Sequence, residues 1–150
     1  MSSPIPTHVV AVFAIVCRGE RFLLAQRSYS DDQAAGQWSF PGGKVEAVGG
    51  YDIIEDTVRR EVFEETGIQI TDSIEYIFSQ GFIRSSGHHV VGLLFLCEWK
   101  SGEGKPIEDL EQITWKTLDE LVSMKLSLHM HDMVLRLQQH IRTAKRLAHS

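Results

Sequence analysis

The chain has 150 residues, of which 43% are hydrophobic, and a formal net charge of −5 at pH 7. This length suits one well-packed domain and is short for two, so we expect a single domain over residues 1–150 with its core at residues 8–147. The negative charge argues against the concentrated Lys and Arg surface that a polynucleotide partner needs, but it allows a small nucleotide partner.

Two further features bear on the compartment. Cys17 and Cys97 each lie in an apolar run without zinc-finger spacing, which favours buried, reduced thiols over a disulfide. The N-terminus lacks the basic and then apolar layout of a signal peptide, and no run approaches the roughly 18 apolar residues of a membrane span. We therefore expect a cytoplasmic protein with no membrane partner.

The N-terminal part of the chain predicts short strands separated by loops. Residues 8–17 are rich in β-branched side chains, and a second apolar run at 21–27 follows a short turn, so the two predict a hairpin. The polar segment 28–37 predicts a surface loop. A short strand at 38–40 then runs into the glycine pair Gly42–Gly43, where the backbone can approach a ligand closely.

A helix is predicted between Asp52 and Gly67. Asp52 is the expected N-cap, with its side chain accepting from a free amide of the first turn, and Gly67 provides the stop. Ile54, Val58 and Val62 recur at helical spacing and give this helix one face to bury.

The same helix carries three carboxylates on one side of one turn. Glu61, Glu64 and Glu65 stand at i, i+3 and i+4, where like charges repel unless a cation lies among them. Clustered anionic oxygens suit hard cations, so Mg²⁺, or Mn²⁺ in its place, is the expected cofactor. The alternative is an ordinary solvated charged face, since exposed carboxylates are common.

The C-terminal half predicts three more strands and two helices. Thr117, with Glu120 three residues later, predicts a capping box at the start of the first of these helices. Hairpins outnumber βαβ units, so we expect an α/β (α+β) fold with a mixed β-sheet between helices. The strands are expected at residues 74–83, 90–97 and 110–116, and a long amphipathic helix at 130–148.

A family resemblance rests on Gly43 and on the run Arg60-Glu61-Val62-Phe63-Glu64-Glu65-Thr66-Gly67-Ile68. This pattern resembles the Nudix box, Gly-x5-Glu-x7-Arg-Glu-U-x-Glu-Glu-x-Gly-U with U aliphatic. The second half matches at every fixed position. In the first half, eight residues rather than five follow Gly43, and Asp52 stands where the pattern has Glu. Two glycines in the segment 47–51 can absorb the extra length as a longer loop.

The resemblance implies an α/β/α sandwich and a divalent-metal hydrolase that cleaves a pyrophosphate linkage. It implies that Arg60 orients a neighbouring carboxylate, unless it is a plain surface arginine, and that Glu61 and Glu64 act in catalysis. A downstream acidic residue often joins the metal in this family, and Glu111 is our choice over its neighbours. The implied metal ligands are the Gly42 carbonyl, Glu61, Glu64, Glu65 and Glu111.

Four residues are candidates for holding the substrate. Arg27 and Arg84 could fork around phosphate oxygens, Lys44 follows the glycine pair, and Phe82 could stack on a base. Each has an ordinary alternative: a surface ion pair for the arginines, an exposed loop position for Lys44, and a core aromatic for Phe82.

Within the family, this chain resembles MutT-like enzymes in its short length and in the segment Trp-Ser-Phe-Pro-Gly-Gly that precedes the helix. This resemblance implies that the substrate is a nucleoside triphosphate, which is cleaved to a monophosphate and pyrophosphate. ADP-ribose, NADH or a nucleotide sugar is the alternative substrate. A second alternative is an inactive nucleotide-binding or regulatory domain, although the three carboxylates are all retained. A homodimer is compatible with each of these.

Overall fold

A computed structural model describes residues 5–31 and 34–148, which form seven strands and three helices. Their order along the chain is β1 (Val9–Arg18), β2 (Arg21–Arg27), β3 (Trp38–Ser39), β4 (Gly42–Lys44), α1 (Ile53–Thr66), β5 (Gln69–Ile83), β6 (His89–Ser101), β7 (Leu110–Thr117), α2 (Leu118–Ser123) and α3 (Leu128–Ala148). No helix in these two ranges has both the length and the apolar character needed to cross a membrane.

The strands form one sheet with the path β3-β2-β1-β6-β5, to which β4 adds on β1 and β7 adds on β2. The β1–β6 pair is parallel, from Val9↔Val90 to Cys17↔Glu98, and the other pairs are antiparallel. The predicted mixed sheet and the predicted hairpin of β1 and β2 are therefore confirmed.

The outer edge of β1 is shared between two partners, and this division positions the candidate site. Near the hairpin turn β1 pairs with β2 through Cys17↔Phe22, whereas further along it pairs with β4 from Ala11↔Lys44 to Phe13↔Gly42. β2 diverges from β1 and pairs instead with β7 and β3. The glycine segment thus lies where the sheet opens.

Two apolar clusters cover the two faces of the sheet. Side chains of β1 alternate between them, so Val12 and Val16 pack with α1 while Ile15 packs with α2 and α3. On the α1 side Val58 and Val62 are fully buried, as the spacing predicted. The expected α/β/α arrangement is confirmed.

Element boundaries differ from the sequence prediction at several points. β5 begins at Gln69 rather than residue 74, because a register shift between Ile70 and Ile74 places polar residues inside the strand and hides its alternation. Gly42–Lys44 forms strand β4 where a loop was expected. The capping box is confirmed: the Thr117 hydroxyl accepts from the Glu120 N–H, and the Glu120 carboxylate accepts from the Thr117 N–H.

Candidate active site

The start of α1 differs from the sequence prediction. Asp52 lies at the N-cap position in a left-handed conformation, with φ 56° and ψ 27°, and its side chain makes no capping hydrogen bond. A side-chain cap requires extended backbone at that residue, so the prediction of an Asp52 side-chain cap is wrong. At the other end Gly67 is left-handed with φ 72°, and its N–H donates to the Phe63 carbonyl, as expected for a glycine stop.

Two glutamates of α1 lie directly against β4. Glu65 is only 6% exposed, and its Oε2 accepts a hydrogen bond from the Gly42 N–H at 3.2 Å. A Cβ atom on Gly43 would overlap the carboxylate of Glu61, and one on Gly42 would overlap the Val12 carbonyl oxygen. The glycine pair therefore allows the helix to bring both carboxylates against the strand.

The pairing of β4 leaves one carbonyl on the helix side. The residues that flank β4 hydrogen-bond to β1, since Ala14 donates to the Pro41 oxygen at 2.7 Å and Val45 donates to the Val10 oxygen at 2.8 Å, so the ladder uses every second position from 41 to 45. Gly42 lies at an intervening position, and its N–H points away from β1 to Glu65. Because the N–H and C=O of one strand residue point the same way, the Gly42 carbonyl belongs to this side as well.

Burial and like charge both oppose ionisation here. Burial, together with the charges of Glu61 and Glu108, raises the pKa of Glu65 to about 7, although Arg27 and the Gly42 N–H act in the opposite direction. Burial also raises the pKa of Glu61, aided by the charge of Glu64, while Arg60 lowers it. The two carboxylates thus occupy a place that favours an additional positive charge.

Arg60 lies at the solvent side of this cluster. Its Nη1 is 3.6 Å from a carboxylate oxygen of Glu46, 3.6 Å from Glu61 and 3.7 Å from Glu64. The predicted contact with a neighbouring carboxylate is present. It is not bidentate, because the one nitrogen Nη1 is shared among three carboxylates. Glu64 has a side chain that is 42% exposed, so its carboxylate is open to solvent.

A downstream loop brings another carboxylate toward the helix. The backbone N–H of Ile107 donates to the Glu65 carbonyl at 2.9 Å, and that of Lys105 donates to the Thr66 carbonyl at 3.0 Å. Glu108, with a left-handed φ of 56°, follows this anchor and contributes to the raised pKa of both Glu61 and Glu65. Glu108 and Glu111 are both exposed, but of the two only Glu108 contributes to the raised pKa of Glu61 and Glu65, so we favour Glu108 as the downstream acid.

The oxygen atoms at this site are of the kind that a divalent ion binds. Within residues 5–31 and 34–148, no group of three or more His, Cys, Asp or Glu side chains is already arranged to hold a metal. The chemistry of the donors nevertheless fits Mg²⁺, since they are oxygens, two of them are in carboxylates with raised pKa, and a main-chain carbonyl lies beside them.

A cavity of about 440 Å³ brings together three predicted substrate residues, Arg27, Phe82 and Arg84. A narrow cavity of about 20 Å³ shares Arg27 and Ser39 with it and is also lined by Gly42 and Glu65. The fourth candidate, Lys44, is exposed at the end of β4 and lines neither cavity. Sequence reasoning gave no role to Phe13, Gln37 or His129, which also line the larger of the two.

A further cavity, of about 760 Å³, lies along the outer surface of α1. The longer loop contributes Val48 and Tyr51 to it, and the helix contributes Phe63 and Arg60. Arg60 is its only link to the candidate catalytic residues, because Glu61, Glu64 and Glu65 do not line it. The longer loop thus borders a surface beside the reactive cluster.

Comparisons with known proteins agree with this architecture. The family model for the NUDIX domain matches residues 7–137. A MutT-like protein of Streptomyces ambofaciens is 32% identical over 116 residues, which cover 77% of this chain and 68% of that protein. A MutT NUDIX hydrolase from Burkholderia pseudomallei, solved as a crystal structure, has 28% identity and a TM-score of 0.73, with 87% of this chain and 98% of that chain covered.

A longer relative extends the comparison to another activity. The NAD-capped RNA hydrolase NudC of Chromobacterium violaceum is 29% identical over 127 residues. These cover 84% of this chain but 44% of that protein, so the chain spans less than half of its length.

Proposed function

This chain belongs to the NUDIX family of hydrolases, and on that premise we propose that it is a Mg²⁺-dependent enzyme that cleaves the pyrophosphate linkage of a nucleoside triphosphate to give a monophosphate and pyrophosphate. The observation that carries the proposal is the junction of β4 and α1. There Glu61 and Glu65 lie against the glycine pair, beside a cavity that contains Arg27. Acidic and cationic groups for a phosphoric anhydride thus adjoin one another.

The proposed metal ligands are oxygens of this junction. They are the Gly42 carbonyl and the carboxylates of Glu61, Glu64 and Glu65, with Glu108 in place of Glu111 as the downstream member. A divalent ion bound there would neutralise phosphate oxygens and increase the acidity of a bound water. Raised carboxylate pKa values at Glu61 and Glu65 support the assignment, because a cation would relieve the repulsion that helps to raise them.

The remaining roles follow from position. Arg27 lines both the narrow cavity at Glu65 and the larger cavity, so it is placed to hold a phosphate between them. Arg60 holds the carboxylates of Glu61 and Glu64 on one side of the helix. Glu64 is open to solvent, and its carboxylate can accept a proton from the attacking water.

A second candidate is cleavage of a dinucleotide or nucleotide sugar, such as NADH or ADP-ribose. It is favoured by the similarity to NudC, whose name specifies an NAD-capped substrate, although this chain matches less than half of that protein. Both candidates use the same junction and differ only in the group that leaves with the second phosphate. A third outcome, a binding or regulatory domain without turnover, is the alternative to both.

A substrate panel tests the proposal. Nucleoside triphosphates, NADH, ADP-ribose, nucleotide sugars and dinucleoside polyphosphates are each incubated first with EDTA and then with Mg²⁺ or Mn²⁺. The nucleotide products are separated by chromatography, and pyrophosphate release is measured for the triphosphates. Triphosphate cleavage that needs the metal supports the main proposal. Preference for NADH or ADP-ribose supports the second candidate, and no turnover of any compound supports the binding domain.

Two further proposals come from the sequence. A cytoplasmic location stays a prediction, and fractionation of cells expressing the full-length protein would check it. A homodimer fits the family resemblance, and light scattering on the purified protein would decide between one and two copies.

A further inference from the structure

The 440 Å³ cavity is chemically different at its two ends. Arg27 is at the end next to Glu65, since it also lines the narrow cavity there. Phe82, His129 and Met133 contribute aromatic and thioether surface away from that narrow cavity, and the guanidinium of Arg84 lies on the same side. A ligand that matches this distribution carries an anionic group and a flat, largely apolar group in one molecule, as a nucleotide does.

Helix α3 supplies part of the apolar end because it packs along one face of β5. The contacts between the two elements follow in order along both: Arg136 lies over the Phe78 ring at 5.8 Å, Gln80 Nε2 is 3.6 Å from Met133 Sδ, and the rings of Phe82 and His129 are 5.4 Å apart. This order places the first turn of α3 beside the end of β5, where Phe82 meets the cavity.

The Phe82 and His129 rings form a corner. Their planes are inclined at 68°, so a flat ligand that stacks on one ring meets the edge of the other. Met133 is 4% exposed and backs this corner, while His129 is exposed. The ring nitrogens of His129 have no hydrogen-bond partner among residues 5–31 and 34–148, so they are available to the edge of a bound base.

We propose that Phe82 and His129 bind the nucleobase of the substrate, and that the first turn of α3 thereby sets how tightly the base is held. This inference rests on the proposed function for the class of ligand. It adds His129 of α3 to the residues that contact the substrate. Stacking of a base on an aromatic side chain tolerates any base, and contacts of the His129 nitrogens with the base edge would supply preference among bases.

Binding of monophosphates tests the assignment without turnover. Affinities of AMP, GMP, CMP and UMP are measured by calorimetry in EDTA and compared with that of ribose 5-phosphate, which has the phosphate and sugar but no base. We expect the wild-type protein to bind at least one of the four about tenfold more tightly than ribose 5-phosphate. His129→Ala should lose about five- to tenfold for that nucleotide and leave ribose 5-phosphate within about twofold.

Two variants separate stacking from general effects on the helix. His129→Phe keeps a ring at the corner and should retain most of the base-dependent gain, with reduced preference among bases. His131→Ala removes a histidine of the same turn that lines neither the 440 Å³ cavity nor the narrow cavity, and this variant should bind every ligand as the wild type does. Thermal unfolding confirms that each variant folds.

Three results would overturn the assignment. They are equal binding of all four nucleotides and ribose 5-phosphate by the wild type, unchanged nucleotide binding by His129→Ala, and equal loss of nucleotide and ribose 5-phosphate in that variant. The assignment stands if the base-dependent gain disappears in His129→Ala although the protein hydrolyses nothing in the substrate panel. In that case only the proposed catalytic function fails.

Discussion

The β4–α1 junction and the β5–α3 contact both border the candidate site, but the chain builds them in different ways. At the junction all the proposed metal ligands except Glu108 come from one continuous stretch, in which Gly42 and Glu65 are 23 positions apart. At the β5–α3 contact the partners come from separate elements, as with Gln80 and Met133, which are 53 positions apart. The first region is recognisable as a sequence motif, and the second exists only after folding.

The two regions also differ in what they bury. The junction buries Glu65, a carboxylate that is costly to ionise there, whereas the β5–α3 contact joins aromatic, amide and thioether groups that carry no such cost. A buried carboxylate of this kind is useful when a cation or proton must be held. We therefore expect changes at the junction to lower kcat and changes at the β5–α3 contact to alter affinity.

Glu64→Gln should have the largest effect on turnover. It removes one charge from the proposed metal ligands at a side chain that is 42% exposed, so kcat should fall by about 10²-fold or more with little change in thermal stability. Steady-state kinetics on the best substrate of the panel, with melting curves in parallel, measures both quantities.

Asp56→Asn is the matched control for Glu64→Gln. Asp56 is an exposed acid of the same helix that pairs with Arg59 at 3.4 Å and lies outside the carboxylate cluster. Its substitution removes the same charge and should leave kcat within about twofold, since a surface ion pair contributes little. Equal turnover in Glu64→Gln and the wild type would contradict the ligand assignment.

Glu65 should make metal-free stability depend on pH. Burial raises its pKa from 4.5 to about 7, so the folded protein keeps this proton at a pH where the unfolded chain has lost it. Stability from this group is fully present below about pH 4.5 and is lost as the pH rises through about 7, a fall in the free energy of unfolding of up to about 3 kcal/mol. Urea unfolding in EDTA at pH 5, 6.5 and 8 measures this slope.

Glu65→Gln tests the origin of that slope. Glutamine has nearly the same shape and does not titrate, so the variant should lose this part of the pH dependence and be more stable than the wild type at pH 8 without metal. Mg²⁺ should stabilise the wild type more at pH 8 than at pH 5, because it binds the ionised carboxylate. An unchanged slope in Glu65→Gln would assign the pH dependence to other groups.

Much of the junction was predictable because its signals are local. The helical spacing of Val58 and Val62 and the stop at Gly67 each depend on nearby residues, and the structure agrees with them. Two local features were mispredicted. Asp52 adopts a left-handed conformation where a side-chain cap was expected, and Gly42–Lys44 forms a strand because β2 leaves β1, so the free edge of β1 becomes available for pairing.

The β5–α3 contact could not be predicted from local patterns. A shift in register within β5 obscures its alternation, so Phe82 could not be assigned to a face from the sequence. His129 precedes the buried positions of α3 and has no motif around it. The prediction of Glu111 as the downstream acid stays untested. The hydrogen bond from the Ile107 N–H to the Glu65 carbonyl, which joins the neighbouring loop to α1, was also not readable from the sequence.

Gly43→Ala should reduce turnover without unfolding the protein. The added Cβ would overlap the carboxylate of Glu61, which is the flexible end of a side chain and can move aside, so kcat should fall about tenfold while stability changes little. Gly42→Ala should instead lower the stability of the fold, because its Cβ would overlap the Val12 backbone, which cannot move aside as a side chain can.

Gly49→Ala is the control for both glycine variants, since nothing lies within 4 Å of a Cβ at that position. It should match the wild type in kcat and in melting temperature. If Gly43→Ala also matched the wild type in kcat, the position of Glu61 against β4 would have no part in catalysis.

The longer loop should produce the smallest effect, a change of substrate preference. Residues 47–51 border the 760 Å³ cavity, Tyr51 is 94% exposed, and this cavity meets the candidate catalytic residues only at Arg60. Removing three residues from 47–51 should therefore change the ratio of kcat/KM values between substrates by a few fold and leave the Mg²⁺ requirement intact.

Tyr51→Ala at full loop length separates the ring from the backbone: the same change in preference would identify the ring as its cause. Loss of the Mg²⁺ requirement in the shortened variant would instead show that the loop supports the carboxylates through Glu46 and Arg60. The loop would then act on the β4–α1 junction itself and not only on substrate preference.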